Sequence, residues 1–125
     1  MYGAGNIGRG FIAQLFTESG YHTTFVDVVD SVVNELNDKN EYPLYITRGG
    51  EYERNKVVNV DAVNGKDPEA VAEAISEADI MATAVGVNIL KFIAEPISLG
   101  VKRRMRKSKG TLNIIVCEKD RKSVV

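Results

Sequence analysis

The sequence predicts an α/β domain, a Rossmann-like, doubly wound and mostly parallel sheet with an added β-hairpin. Three observations predict it: a glycine-rich turn at the start, alternation of strand-like and helix-like segments, and a final strand that is apolar without interruption. The turn is Gly3-Ala4-Gly5-Asn6-Ile7-Gly8, with the Gly-x-Gly-x-x-Gly spacing of a dinucleotide-binding loop. Gly3 lets the chain turn tightly off a strand, and Gly5 has no side chain to hold a pyrophosphate away from the backbone. Gly8 lets the following helix pack close to the sheet. That helix would point its unpaired N–H groups and the positive end of its dipole at the phosphates.

The elements follow in order. Ile7 to Ser19 reads as a helix, with Ile7, Phe11, Ile12, Leu15 and Phe16 at helical spacing and Gly20 closing it. Thr23-Thr24-Phe25-Val26-Asp27 is a β-branched and aromatic run that ends in an acid. Asp27 stands about twenty positions beyond the last glycine, where a carboxylate accepts hydrogen bonds from the adenosine ribose. The same carboxylate would repel a 2′-phosphate, and no arginine or lysine adjoins it in sequence, so the cofactor expected is NAD and not NADP.

Asp30 to Asn40 reads as a second helix with Asp30 as N-cap and Val32, Val33 and Leu36 on its apolar face. From Tyr42 to Val60 the period changes. Two strand-like arms, residues 42–46 and 52–60, flank Arg48-Gly49-Gly50-Glu51, a hairpin turn. Asp61-Ala62-Val63 either continues the second arm or forms a strand of its own. Asp67-Pro68 opens a third helix running to about Ala78. The segment from Asp79 to Gly86 is a strand ending in a glycine turn, and a long helical stretch from about Asn88 to Lys107 contains Pro96 and Gly100, which predict a kink or break. Leu112-Asn113-Ile114-Ile115-Val116-Cys117 is a compact apolar strand, and its composition predicts burial on both faces.

The strand that feeds a dinucleotide-binding turn normally lies in the middle of its sheet and is about five or six residues long. Only Met1 and Tyr2 precede Gly3, so either the first strand is truncated, which is the simpler account and the expectation, or the sheet is completed unusually.

Composition narrows the function. The 125 residues, 1–125, form one domain, short for a complete two-domain dehydrogenase. A net charge of −1 argues against a nucleic-acid partner. No apolar run approaches the roughly 20 residues that span a bilayer, and the start lacks a signal-peptide pattern, so no membrane partner is expected. A lone cysteine, Cys117, forbids an internal disulfide and suits a reducing cytoplasm; with a lone histidine, His22, it cannot assemble a His/Cys zinc cluster, and no metal is expected. The cluster Lys102-Arg103-Arg104-Met105-Arg106-Lys107-Ser108-Lys109 is read as a solvated helix end ahead of a phosphate or nucleic-acid contact. His22 is read as structural and Cys117 as a small buried filler.

The wording Gly3-Ala4-Gly5-Asn6-Ile7-Gly8-Arg9-Gly10-Phe11, with Phe25-Val26-Asp27-Val28, Thr83-Ala84-Val85-Gly86 and Asn113-Ile114-Ile115-Val116-Cys117-Glu118, resembles the N-terminal domain of the mannitol-1-phosphate 5-dehydrogenase family of polyol-specific long-chain dehydrogenases. The likeness covers nearly the whole chain. It implies an NAD-binding Rossmann domain of an oxidoreductase that interconverts mannitol 1-phosphate and fructose 6-phosphate. Relatives acting on unphosphorylated polyols or hexuronates, which differ after the second glycine, are the closest competing assignment. By the same resemblance the NAD site is lined by Gly3, Ala4, Gly5, Asn6, Ile7, Gly8, Asp27, Val28, Thr83, Ala84, Val85 and Gly86.

The resemblance assigns no catalytic residue here. In the family the Cys-Glu pair is followed by an asparagine that polarises the substrate oxygen, whereas this chain has Lys119. The family's catalytic lysine and its asparagine and histidine companions belong to a helical C-terminal domain that these 125 residues do not include. The expectation is a fragment that binds cofactor without turning over substrate. The alternatives are a free-standing dinucleotide-binding module or NAD(H) sensor, and an interaction protein that uses its basic helix end.

Overall fold

The computed structural model describes residues 1–118. A π-helical turn, Gly8–Ile12, runs into α1 (Ala13–Glu18), followed by β1 (Thr23–Asp27), α2 (Asp30–Lys39), β2 (Glu41–Arg48), β3 (Glu51–Val58) and β4 (Val60–Asn64). Then come α3 (Pro68–Glu77), β5 (Ile80–Thr83), α4 (Val87–Arg106) and β6 (Asn113–Val116).

The main sheet is parallel. β4 pairs with β1 and β6 with β5, and Tyr2 bridges β1 at Val26 and β5 at Thr83. Met1 and Tyr2 therefore hold the central position, making bridges where a longer segment would make a strand. The Tyr2 N–H donates to the Ala82 carbonyl at 2.9 Å, and the Val26 N–H to the Met1 carbonyl at 2.9 Å. The order β4-β1-(Met1–Tyr2)-β5-β6 reverses direction at the centre, the arrangement of a doubly wound sheet.

Two cores lie on opposite faces. One gathers Phe25, Val33, Leu36, Tyr42, Val57 and Val60, from β1, α2, the β2–β3 hairpin and β4. The other joins Tyr2, Val26 and Met81 to Val71 and Ile75 of α3 and Ile93 of α4. The hairpin turns through Gly49 and Gly50 at φ 58° and 83°, the left-handed pair that matches strand twist in a two-residue loop. Asn59 at φ 62° separates β3 from β4, so residues 60–64 form a strand of their own beside β1.

Several local expectations are corrected. The first helix opens with π spacing, and Ile7, Phe11 and Leu15 form an exposed stripe while Ala13 is buried and Ile12 and Phe16 pack on the core. The residue capping α2 is Val29, which has no side-chain cap bond; the Asp30 carboxylate instead accepts from Asn64 Nδ2 at 2.6 Å. Helix α4 continues unbroken through Pro96 and Gly100. Strand β6 is exposed along its length and not buried on both faces, because it is paired on one side only and no described helix covers it. Asp67 caps α3 as its sequence predicts, accepting from the Ala70 N–H with Pro68 next in line.

The basic cluster is bound up in the fold. Arg103 pairs with Glu69 and Glu73, Lys107 with Glu73 and Glu77, and Lys109 with Glu77, zipping α4 to α3. Lys107 and then Lys109 hold the Glu77 carboxyl down to about 2. The Arg104 guanidinium is buried against the carbonyls of Ser76, Ala78, Lys109, Gly110 and Thr111, joining the end of α3 to the approach to β6. His22 is exposed and structural in its contacts, reaching Asn59 at 2.8 Å and Asp61 at 3.1 Å. Those partners raise its pKa, the Asn59 bond first. Cys117 is half-buried beside the first core.

Gly100 sits where α4 crosses α3: a Cβ there would stand 2.5 Å from the Ile75 Cβ. Gly100→Ala should lower the thermal midpoint. Overpacking of about 1–3 kcal/mol outweighs the roughly 1 kcal/mol that alanine gains in helix propensity. Calorimetry on the variant checks this, and an unchanged or higher midpoint would show that the helices separate freely.

Candidate functional site

Three segments meet at the carboxyl edge of the parallel sheet, where the strand order reverses. They are the turn Gly3–Gly8, the end of β1 at Asp27-Val28, and the end of β5 at Thr83–Gly86. All twelve residues singled out in the sequence fall in these segments, and the fold joins the segments by contacts with little slack.

The glycines divide by what surrounds them. Gly3 has φ +106°, and a Cβ there would stand 2.4 Å from the Ala84 carbonyl oxygen. A Cβ at Gly8 would stand 2.3 Å from the Gly3 carbonyl oxygen. Both positions are closed to any side chain by backbone. Around Gly5 nothing beyond its own chain neighbours lies within 4 Å of that added carbon. The space above Gly5 is therefore open, at the start of a helix whose first-turn N–H groups have no intrahelical acceptor.

Asp27 ties the turn to β1. Its Oδ2 accepts from the Ala4 N–H at 2.9 Å and its Oδ1 from the Val29 N–H at 2.9 Å. An ionised carboxylate offers about four lone-pair directions, so two acceptor positions remain beside the turn. Val28 is exposed next to it. The Gly3 N–H donates to the Val26 carbonyl at 2.8 Å, completing the junction.

On the other flank Thr83 is fully buried while Gly86, at φ +94°, starts α4. A residue outside the sequence assignment organises this flank. Glu118, two positions beyond β6, accepts from the Val85 N–H at 2.8 Å, the Gly86 N–H at 3.0 Å and the Thr83 hydroxyl at 3.3 Å. The signal for it lies in the sequence: an acid just after an apolar strand, as Asp27 ends β1. Glu118 closes the N-terminus of α4 from within, whereas no side chain caps the turn that opens the first helix. Lys119 lies outside the described residues.

A cavity of about 330 Å³ lies among Thr23, Ile75 and Met81, at the amino edge of the sheet and away from the site, and one of about 390 Å³ between Arg9, Leu36 and Tyr45 reaches the site at Asn6. The turn lies at the surface, with Gly5, Asn6 and Ile7 exposed. Among the described residues, no group of three or more His, Cys, Asp or Glu side chains is placed to hold a metal ion, and no helix is long and apolar enough to cross a membrane.

Comparison with known proteins shows the family. The family model described as the mannitol dehydrogenase Rossmann domain matches residues 1–124. The chain belongs to that family. It is similar to the mannitol-1-phosphate 5-dehydrogenases of Bacillus licheniformis, 48% identical over 118 residues, and Oceanobacillus iheyensis, 46% identical over 118 residues. That of Lactiplantibacillus plantarum is 46% identical over 119 residues. Each likeness covers 94% of this chain and 30–31% of the relative, so this mannitol dehydrogenase Rossmann domain spans about a third of the length of the relatives it matches.

The glycine geometry predicts a division among variants. Gly3→Ala and Gly8→Ala should fail to reach the native circular dichroism spectrum, because backbone oxygen occupies the added carbon's place. Gly5→Ala should fold normally. A folded Gly3→Ala or an unfolded Gly5→Ala would show that the turn is packed otherwise.

Proposed function

We propose that this chain binds NAD(H) in the groove above Gly5 and serves as the cofactor domain of an oxidoreductase interconverting mannitol 1-phosphate and fructose 6-phosphate. The observation that carries the reading is the unfilled space at Gly5 beside a carboxylate with acceptor positions to spare. A pyrophosphate fits that space, facing the N–H groups of Asn6, Ile7 and Gly8 and the positive end of the helix dipole. The ribose hydroxyls fit Asp27, and Ala84, Val85 and Gly86 border the path toward the nicotinamide. The substrate assignment rests on the family and on the relatives' names, and a cytoplasmic location goes with it.

Bound NAD would supply the hydride carrier. This chain's part is to hold it: Gly3 and Gly8 bring the turn against the sheet, Asp27 selects the ribose, and Glu118 fixes the backbone at Val85 and Gly86. Hydride transfer to a carbonyl also needs a placed proton donor and an oxyanion stabiliser. The acids of this site, Asp27 and Glu118, both act as acceptors for backbone N–H groups, and neither is placed as a proton donor to substrate. Under this reading the domain binds and orients, and the proton chemistry falls to residues outside it.

Titration calorimetry with each cofactor should give tighter binding of NADH than of NADPH. Asp27→Ala should lose roughly 1.5–3 kcal/mol of NADH affinity and most of the preference. Equal affinity of the unaltered chain for both would remove Asp27 from this role. With mannitol 1-phosphate and NAD present, absorbance of NADH should not rise even at high protein concentration. Turnover that tracks the purified chain and vanishes in Gly5→Ala would assign catalysis to this domain itself.

A further inference from the structure

The hairpin is the part of the fold that the cofactor reading leaves unused, and one of its residues reaches the cofactor turn. Tyr42 of β2 is buried, with its ring edge-on to Phe25 at 6.0 Å between centroids. Its hydroxyl donates to the Arg9 carbonyl at 2.6 Å. Burial pushes that hydroxyl up to about 12, so it stays a donor at neutral pH.

Arg9 lies in the π-helical turn. There the Ala13 N–H bonds the Gly8 carbonyl, five residues back, where an α-helix would send it to Arg9, four back. The Arg9 carbonyl thus lacks the donor that α spacing would provide, and the Tyr42 hydroxyl stands in its place. Phe25, against which the ring packs, is two residues before Asp27 on β1. Tyr42 consequently touches both the strand that carries the ribose carboxylate and the helix that carries the phosphate-facing N–H groups.

We propose that Tyr42 is a positioning residue for the cofactor: by occupying the Arg9 carbonyl it holds the widened turn and sets the direction of the Asn6–Gly8 N–H groups relative to Asp27. Without the hydroxyl, the Ala13 N–H would return to Arg9. Closing the turn by one residue rotates everything before it by about 100° relative to α1. The inference rests on the cofactor reading above, since it names how that site is held in register.

The test compares Tyr42→Phe and Tyr42→Met with the unaltered chain, each folded by circular dichroism well below its melting point. NADH affinity should fall roughly tenfold in both, the scale of one lost hydrogen bond. Tyr45→Phe, an exposed tyrosine on the same strand, should bind as the unaltered chain does. 4-Aminophenylalanine at position 42 restores a donor and should recover affinity. Hydrogen exchange without cofactor should change at residues 5–13 in the two hydroxyl-free variants, as the turn shifts from π to α spacing. Unchanged NADH affinity in Tyr42→Phe would overturn the proposal, as would failure of both variants to fold. If the unaltered chain binds no NADH, the cofactor reading fails instead. The exchange data then decide the Tyr42 assignment, with unchanged protection at residues 5–13 counting against it.

Discussion

The carboxyl edge of the sheet is organised by how closely the Gly3–Gly8 turn lies against the end of β5. At Gly3 the backbone leaves no room for a carbon beside the Ala84 oxygen, and at Gly8 none beside the Gly3 oxygen itself. Three layers of main chain are stacked without side chains between them. Such contact requires polar groups to be paired across it, and they are: Gly3 N–H to Val26, Ala84 N–H to Tyr2, Ala4 N–H to Asp27. The helix that follows is thereby aimed over the strand ends, which is what a dinucleotide site in this fold needs.

Two carboxylates brace the turn from opposite sides, and their different use explains which surface stays open. Glu118 spends its oxygens on Val85, Gly86 and Thr83, so the N-terminus of α4 is already supplied with a negative charge. Asp27 uses one oxygen on each side of its own strand end and keeps acceptor positions free. An anion arriving at this edge meets its own kind at α4 and unpaired N–H groups at the glycine helix. The proposed cofactor reading puts the phosphate on the side this asymmetry leaves open, at Gly5.

What was legible in the sequence is what short-range chemistry decides. A positive φ needs glycine, so the Gly49-Gly50 hairpin and the glycine turn stand out. An N-cap acid before proline marks α3. The misreadings share a different cause. Continuous apolar composition in residues 112–117 states that a strand can be buried, but β6 lies at the sheet's edge, where burial depends on whatever packs beside it. Pro96 weakens α4 locally, yet the Gly100–Ile75 contact and the Arg103 and Lys107 pairs on α3 hold the helix together beyond it. Tyr42 escapes a linear reading because its partner stands 33 residues away, and Glu118, though marked as an acid after an apolar strand, shows its role only through a partner 32 residues away.

The π-helical turn shows how a local irregularity carries long-range information. Helical periodicity places Ile7, Phe11 and Leu15 on one face with Ile12 and Phe16 beside them, and regular α spacing would leave the Arg9 carbonyl inside the ladder. One extra residue in the turn exposes the stripe 7-11-15, buries Ala13 and turns the Arg9 carbonyl toward the hairpin. An inserted hairpin is tolerated in a doubly wound fold only if it packs on a face without disturbing the strand ends. Here Tyr42 and Val57, opposite one another in the hairpin register, both enter the core under the glycine helix. The insertion is thus built into the support of the turn, so that substitutions in the hairpin should be felt at Gly5 before they are felt at the outer strands.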